Sequence, residues 1–246
     1  MTTIAEVKRW TRPILAEHPD LALKPRMLYL RPVRHVHRSI VFTGSSDRAH
    51  PKPWANYKLL FGPPSGPQSD NWDQELLVGW STDPHFQHEL ETSVSETLDE
   101  FLRPVGTIEG LYAKMGEPDL AWSFKADRLS NKPILYAVVL AALGRLQEAA
   151  AIAQNYIDVN EGPLLRQAEA FEATRGKRLS LSKPIPLDVS HFLKPMTELR
   201  RLIALSTAND RRAVAAMLHE WEQHGARRHG IEDVWEPTPF PLERDF

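Results

Sequence analysis

The chain has 246 residues, a formal net charge of -2, 42% hydrophobic and 25% charged residues, the mix of a folded globular protein and not of a disordered one. It contains no Cys, which removes disulfides, thiolate-bound zinc, iron–sulfur clusters and thiol nucleophiles, and leaves His, Asp, Glu and Ser to carry any chemistry. The charge gives no overall pull towards nucleic acid or anionic lipid, and the 20 prolines, above the average share of roughly 5%, mark where regular structure stops.

Thr3 with Glu6 three residues later is a capping-box pattern, and Ile4, Val7, Trp10, Ile14 and Leu15 near helical spacing predict a first helix. Pro13 inside it predicts a kink, or a break near Thr11. Over residues 27–43 the apolar residues lose helical spacing and become β-branched, aromatic or long aliphatic. They predict two strands with Pro32 between them or on an edge, then a turn at Gly44-Ser45-Ser46-Asp47. Residues 54–61 read as a strand or a single helical turn, and Gly62-Pro63-Pro64-Ser65-Gly66-Pro67 as a loop with polyproline character. Leu76, Leu77 and Val78 predict a last strand. Asp83-Pro84 then sets an N-cap followed by proline, and Phe86, Leu90, Val94, Leu98 and Phe101 form an apolar stripe that Arg103-Pro104 stops.

Residues 134–162 and 196–236 contain no proline and are rich in strong helix formers. They predict helices over 134–143, 146–157, 192–205 and 211–228, with another opening at Gly162-Pro163 and running to about Thr174. Asn209 or Asp210 caps the last helix, and the tail from Trp235 is extended. The stretch Leu143-Gly144-Arg145-Leu146-Gln147-Glu148-Ala149 resembles the inter-helix turn of a tetratricopeptide repeat. One copy is present where an array needs about three, so the resemblance implies a helix hairpin. The larger layout is similar to several bacterial domain families, some of them immunity partners of secreted toxins. The expected fold is α+β. Residues 1–130 hold an N-terminal helix and a small antiparallel sheet with the Pro-rich loop; residues 131–246 form a helical half of antiparallel hairpins packed on it, as two regions or one continuous domain.

His35-Val36-His37 is the sharpest local signal for chemistry. Residues two apart on a strand face one side, so both imidazoles can address one metal, with further ligands from His50, His85, His88 or Asp47. Flanking Arg34 and Arg38 disfavour a cation. The same residues also read as ordinary strand histidines on an edge guarded by charge, or, with Arg31, as a basic ribbon for an anion. Asp70, Asp73 and Glu75 read as a solvated loop, since an EF-hand's ligand spacing is absent. The basic runs Arg200-Arg201, Arg211-Arg212 and Arg227-Arg228-His229 are balanced by Glu198, Asp210, Glu220 and Glu222, which favours surface ion pairs over a DNA-reading helix pair. No nucleophile elbow, phosphate loop, dinucleotide fingerprint or H-E-x-x-H helix is present, and no cofactor is expected.

Trp54, Tyr57, Phe61, Trp72 and Trp80 crowd a loop-rich region and, with Arg34 and Arg38, are the expected binding residues; the aromatics read equally as the core of a small sheet. The expected function is protein interaction of an immunity or adaptor kind, with nucleic acid and membrane not expected as partners. A cytoplasmic location is expected because charged residues interrupt the first 15 positions and no apolar run is long enough to span a bilayer. The alternative is a His/carboxylate metal-dependent enzyme with His35 and His37 as ligands.

Overall fold

Thr3 does cap the first helix, α1 (Ile4–Glu17): its hydroxyl accepts from Glu6 N at 3.2 Å while the Glu6 carboxylate accepts from Thr3 N at 2.8 Å. In the computed structural model, which describes residues 2–43, 47, 49–64, 72–117, 132–174 and 190–245, α1 is a single helix that runs through Pro13. Both Pro13 and Arg9, whose carbonyl loses its partner, face solvent, so water supplies the missing bond. The fold is α+β: this helix, a five-stranded antiparallel sheet, and a helical C-terminal half. Internal contacts divide the chain into two interleaved units. Met1–Leu60, Asn71–Lys114 and Ala226–Thr238 make the first, and Phe61–Asp70, Met115–Gly225 and Pro239–Phe246 the second.

In the first unit the strands are β1 (Leu21–Lys24), β2 (Met27–Leu30), β3 (Val36–Thr43), β4 (Lys52–Leu59) and β5 (Trp72–Glu75), paired in that order. The two strands expected over 27–43 are present, and β1 adds a third ahead of them, too short at four residues to show an alternation. The strand expected at Leu76–Val78 lies earlier, at β5, and pairing continues only as far as Leu76 N on Pro53 O at 3.0 Å. The turn expected at 44–47 falls at 44–46 outside the described residues, as does the Pro-rich loop beyond Pro64.

After β5, α2 (Phe86–Thr97) begins one turn past Asp83, whose carboxylate accepts from His85 N at 2.8 Å. Its apolar stripe runs on into a π-turn (Leu98–Leu102), closed by Arg103 N on Leu98 O at 2.8 Å, and then a 3-10 turn (Pro104–Gly106) and α3 (Ile108–Met115). Trp10 of α1 meets Phe86 edge-on at 5.3 Å, and Tyr57 of β4 meets Phe101 at 5.1 Å, so the helices cover one face of the sheet. Arg103 pins the end of α1 to this layer: it holds both Asp20 carboxylate oxygens (3.1 and 3.2 Å) and ion-pairs with Asp99, while His18 bonds Ser95 at 3.0 Å.

The second unit is built around α4 (Lys132–Ala142), buried at every position from Pro133 to Ala142, as an all-apolar helix must be. Gly144 separates it from α5 (Leu146–Thr174), a continuous helix through Pro163 where the sequence predicts two. Then come α6 (Ser190–Thr207) and α7 (Arg211–Arg228), with Asp210 capping the latter through Ala213 N at 3.0 Å. Gln147 to Ser206 O and Arg200 to Glu161 run antiparallel between α5 and α6; Arg201 to Glu220 and Trp221 to Glu198 do the same between α6 and α7. Arg200, Arg201 and Arg227 are thus engaged in ion pairs, the last with Glu232, and Arg211 donates to Leu242 O at 2.8 Å. The tail ends in a 3-10 turn (Pro241–Asp245). Glu243 fastens it, accepting from Phe240 N at 2.6 Å and contacting His219 at 2.8 Å. None of the described helices is long and apolar enough to cross a membrane.

Gly110 in α3 sits against the Pro104 carbonyl: a Cβ there would lie 2.1 Å from that oxygen. Gly110→Ala gains up to about 1 kcal/mol of helix propensity but must displace backbone, which costs roughly 1–3 kcal/mol. Urea denaturation is expected to show a less stable protein; equal or greater stability of the variant contradicts this packing.

Candidate functional site

The register of β3 on β4 sorts the sheet into two unlike faces. Arg38, Ile40 and Phe42 lie on the face of Leu28, Leu30, Ala55 and Tyr57, beneath the helices. His37, Ser39 and Val41 lie on the other, with Tyr29, Asn56 and Lys58. This second face is polar at its centre, where Ser39 donates to Asn56 at 3.0 Å, both residues being buried. The segment after α7 covers part of it, burying Ala226 and Ile231 with Tyr29, Val33 and Leu60. Trp235 extends this cover by pairing with Val33 as an isolated bridge.

His37 stands directly opposite Lys58 in the ladder and is only 4% exposed. Among the described residues neither of its ring nitrogens has a hydrogen-bond partner. Burial pushes it down to about 3, helped by the nearby charges of His229, Lys58, Lys24 and Arg38. His229 is likewise held down to about 4, by burial and then by Lys58 and Arg228. Lys58 is lowered by burial and Arg228, against the pull of Asp73 on β5. The polar face therefore gathers nitrogen groups whose charged forms are unfavourable where they stand. Lys58 and Asn56 were not singled out by the sequence, and His229 stood out only as part of the basic run that ends the last helix. The signal present was the alternation His37, Ser39 against Val36, Ile40, which is polar on one side and apolar on the other.

His35 precedes β3, and its Nε2 lies 3.2 Å from the Thr238 hydroxyl. Among the described residues no group of three His, Asp or Glu side chains is placed to hold a metal ion. His50 stacks on Trp80 at 5.1 Å, while His85 and His88 are exposed at the start of α2. Arg34 is exposed; Arg38 is half-buried on the apolar face, donating weakly to Pro32 O at 3.5 Å and held below its usual value by burial, then by Arg103 and Arg34.

Of the five aromatics, Tyr57 and Phe61 fill core positions, at 1% and 0% exposure. Trp54 is half-buried and Trp80 is 50% exposed; the Trp72 side chain lies outside the described residues, as does Asp70. Next to Trp80, Leu77 is 84% exposed. Leu77 lines a groove of about 260 Å³ beside β5, where Gln74, Glu75 and Leu77 face Glu96, Glu100 and Phe101. The π-turn brings Glu100 and Phe101 into the lining, a distortion common at functional sites. The segment is held in place by Gly79 N on Glu89 at 3.0 Å and Ser81 N on Ala49 O at 2.7 Å.

Because His37 is neutral in the fold but protonates near 6.5 when unfolded, its contribution is fully present above pH 6.5 and is lost as pH falls towards 3. Over that window stability is expected to drop by about 1.4 kcal/mol per pH unit from this residue. Denaturant titrations across the window should show a shallower slope, by about that amount, in His37→Leu; identical slopes in the two proteins contradict a buried neutral His37. Comparison with protein-family models, curated proteins and solved structures finds no match to this chain.

Proposed function

We propose that the chain is a protein-binding module of the immunity or adaptor kind, which takes an extended, basic segment of its partner along the outer edge of β5. The observation that carries this reading is the acid-rimmed groove beside that edge. β5 ends the strand order, so among the described residues its outer backbone groups pair with no further strand. An added strand satisfies such groups at roughly 0.5–1.5 kcal/mol per hydrogen bond. Glu75, Glu96 and Glu100 favour Lys or Arg side chains in the groove, Leu77 in its lining offers an apolar anchor, and Trp80, three residues on, exposes a second apolar side chain. Burying Leu77 alone contributes on the order of 1.5–3 kcal/mol.

A peptide alternating Lys and Val supplies both the strand and the charge. Calorimetry is expected to give a dissociation constant on the order of micromolar. Raising the salt should weaken it, and Leu77→Ala with Trp80→Ala, or Glu96→Lys with Glu100→Lys, should weaken it about tenfold or more. Absence of binding at about 1 mM peptide, or equal binding by the variants, overturns the reading.

A further inference from the structure

The second unit carries a device of its own, independent of the β5 groove. His219 and Glu222 stand three residues apart on α7, so they share one face of the helix. The 3-10 turn Pro241–Asp245 lies against that face and brings Glu243 to the ring. Glu243 Oε2 is 2.8 Å from His219 Nε2, and Glu222 Oε2 is 3.6 Å from Nδ1. The ring also packs on Phe240 at 4.7 Å, and Phe240 in turn meets Phe61 edge-on at 5.2 Å. The Glu243 oxygen that faces His219 is the one that accepts from Phe240 N at 2.6 Å, so a single carboxylate oxygen ties the turn both to itself and to α7. Phe240 and Leu242 are fully buried in this docked turn.

A ring between two carboxylates serves both only when each nitrogen carries a proton; the neutral imidazole has one N–H and turns a lone pair towards the other carboxylate. Burial decides which contact yields. The Glu222 side chain is 0% exposed and cannot turn to solvent, whereas that of Glu243 is 21% exposed. We infer that His219 is a proton-operated latch: as imidazolium it fastens residues 239–245 to α7, and as neutral imidazole it stays with Glu222 and loosens that segment. Burial of Phe240 and Leu242 still favours docking, so loosening is a rise in the open fraction and not complete detachment. The other charged or titratable groups on the packed elements are placed elsewhere. Arg211 of α7 donates to Leu242 O at 2.8 Å, Arg244 belongs to the turn itself, and Glu198 of α6 accepts from Trp221. α4, which also packs against the turn, carries Lys132 and Tyr136. Among the described residues, Glu222 and then Glu243 are the charges that act on the ring, and both raise it above its ordinary value against the pull of burial. The segment is therefore held below the ordinary 6.5 and loosened as pH climbs through the raised value.

The test is native-state hydrogen exchange of the full-length protein from about pH 6 to about pH 9, with the His219 imidazole titrated alongside by nuclear magnetic resonance. The amides of Phe240, on Glu243, and of Glu243, on Phe240 O, report on the segment, and that of Val214, on Asp210 O, reports on α7. The expected result is a His219 midpoint above 6.5, with protection factors at Phe240 and Glu243 that fall at least tenfold through it while Val214 keeps its own. His219→Gln should show the loosened segment already at about pH 6 and no step. Glu243→Gln, whose amide oxygen can still accept from Phe240 N, should lower the midpoint and shrink the step, with circular dichroism checking that each variant is folded. The inference is overturned by a midpoint at or below 6.5, by protection that does not change through the midpoint, by an equal fall at Val214, or by the full step surviving in either folded variant.

Discussion

The pairing of β3 with β4, from Val36 on Leu59 to Thr43 on Lys52, is the constraint on which the sheet-bearing unit depends. Side chains alternate along a strand, so a slip of one residue exchanges the faces: His37, Ser39 and Lys58 would turn under the helices, while Ile40, Phe42 and Tyr57 would leave them. The burial of Ile40, Phe42 and Tyr57 at 1% exposure each makes that exchange costly, at about 1.5–3 kcal/mol per large apolar side chain. The apolar face thus fixes the register, and the register in turn holds His37 against Lys58.

Two histidines show how far local surroundings separate residues of one type. His219 in α7 lies between the Glu222 and Glu243 carboxylates, which raise it above its ordinary value, the former contributing more. Its stabilising contribution is therefore present below the unfolded value near 6.5 and is lost as pH rises through the raised one. His37 has cations where His219 has carboxylates, and its contribution runs the other way. Each effect belongs to its own unit, and one reports on the anchored C-terminal turn, the other on the polar face of the sheet.

The parts of the fold that were legible in the sequence are those with local causes. Thr3 and Glu6 are three residues apart, Asp210 directly precedes its helix, and the proline-free stretches announced α4 to α7. What escaped depends on contacts made at a distance. β1 has four residues and is defined by its partner β2; the π-turn keeps Leu98 and Leu102 buried by a single wider turn that no residue type encodes. Pro163 was read as a helix start, yet its exposed position lets α5 continue without a buried orphan carbonyl. The candidate sites follow the same rule. The pair His35, His37 stood out because two imidazoles lie close in sequence, whereas the neighbours of His37 on the polar face are Lys58 and His229, which no spacing connects to it.

His37, buried, neutral and close to several positive charges, marks the polar face of the sheet. Its imidazole titration followed by nuclear magnetic resonance tests this most directly. The ring is expected to stay neutral well below the ordinary value of 6.5, with a midpoint near 3. A midpoint close to 6.5 contradicts the burial and the register that produces it.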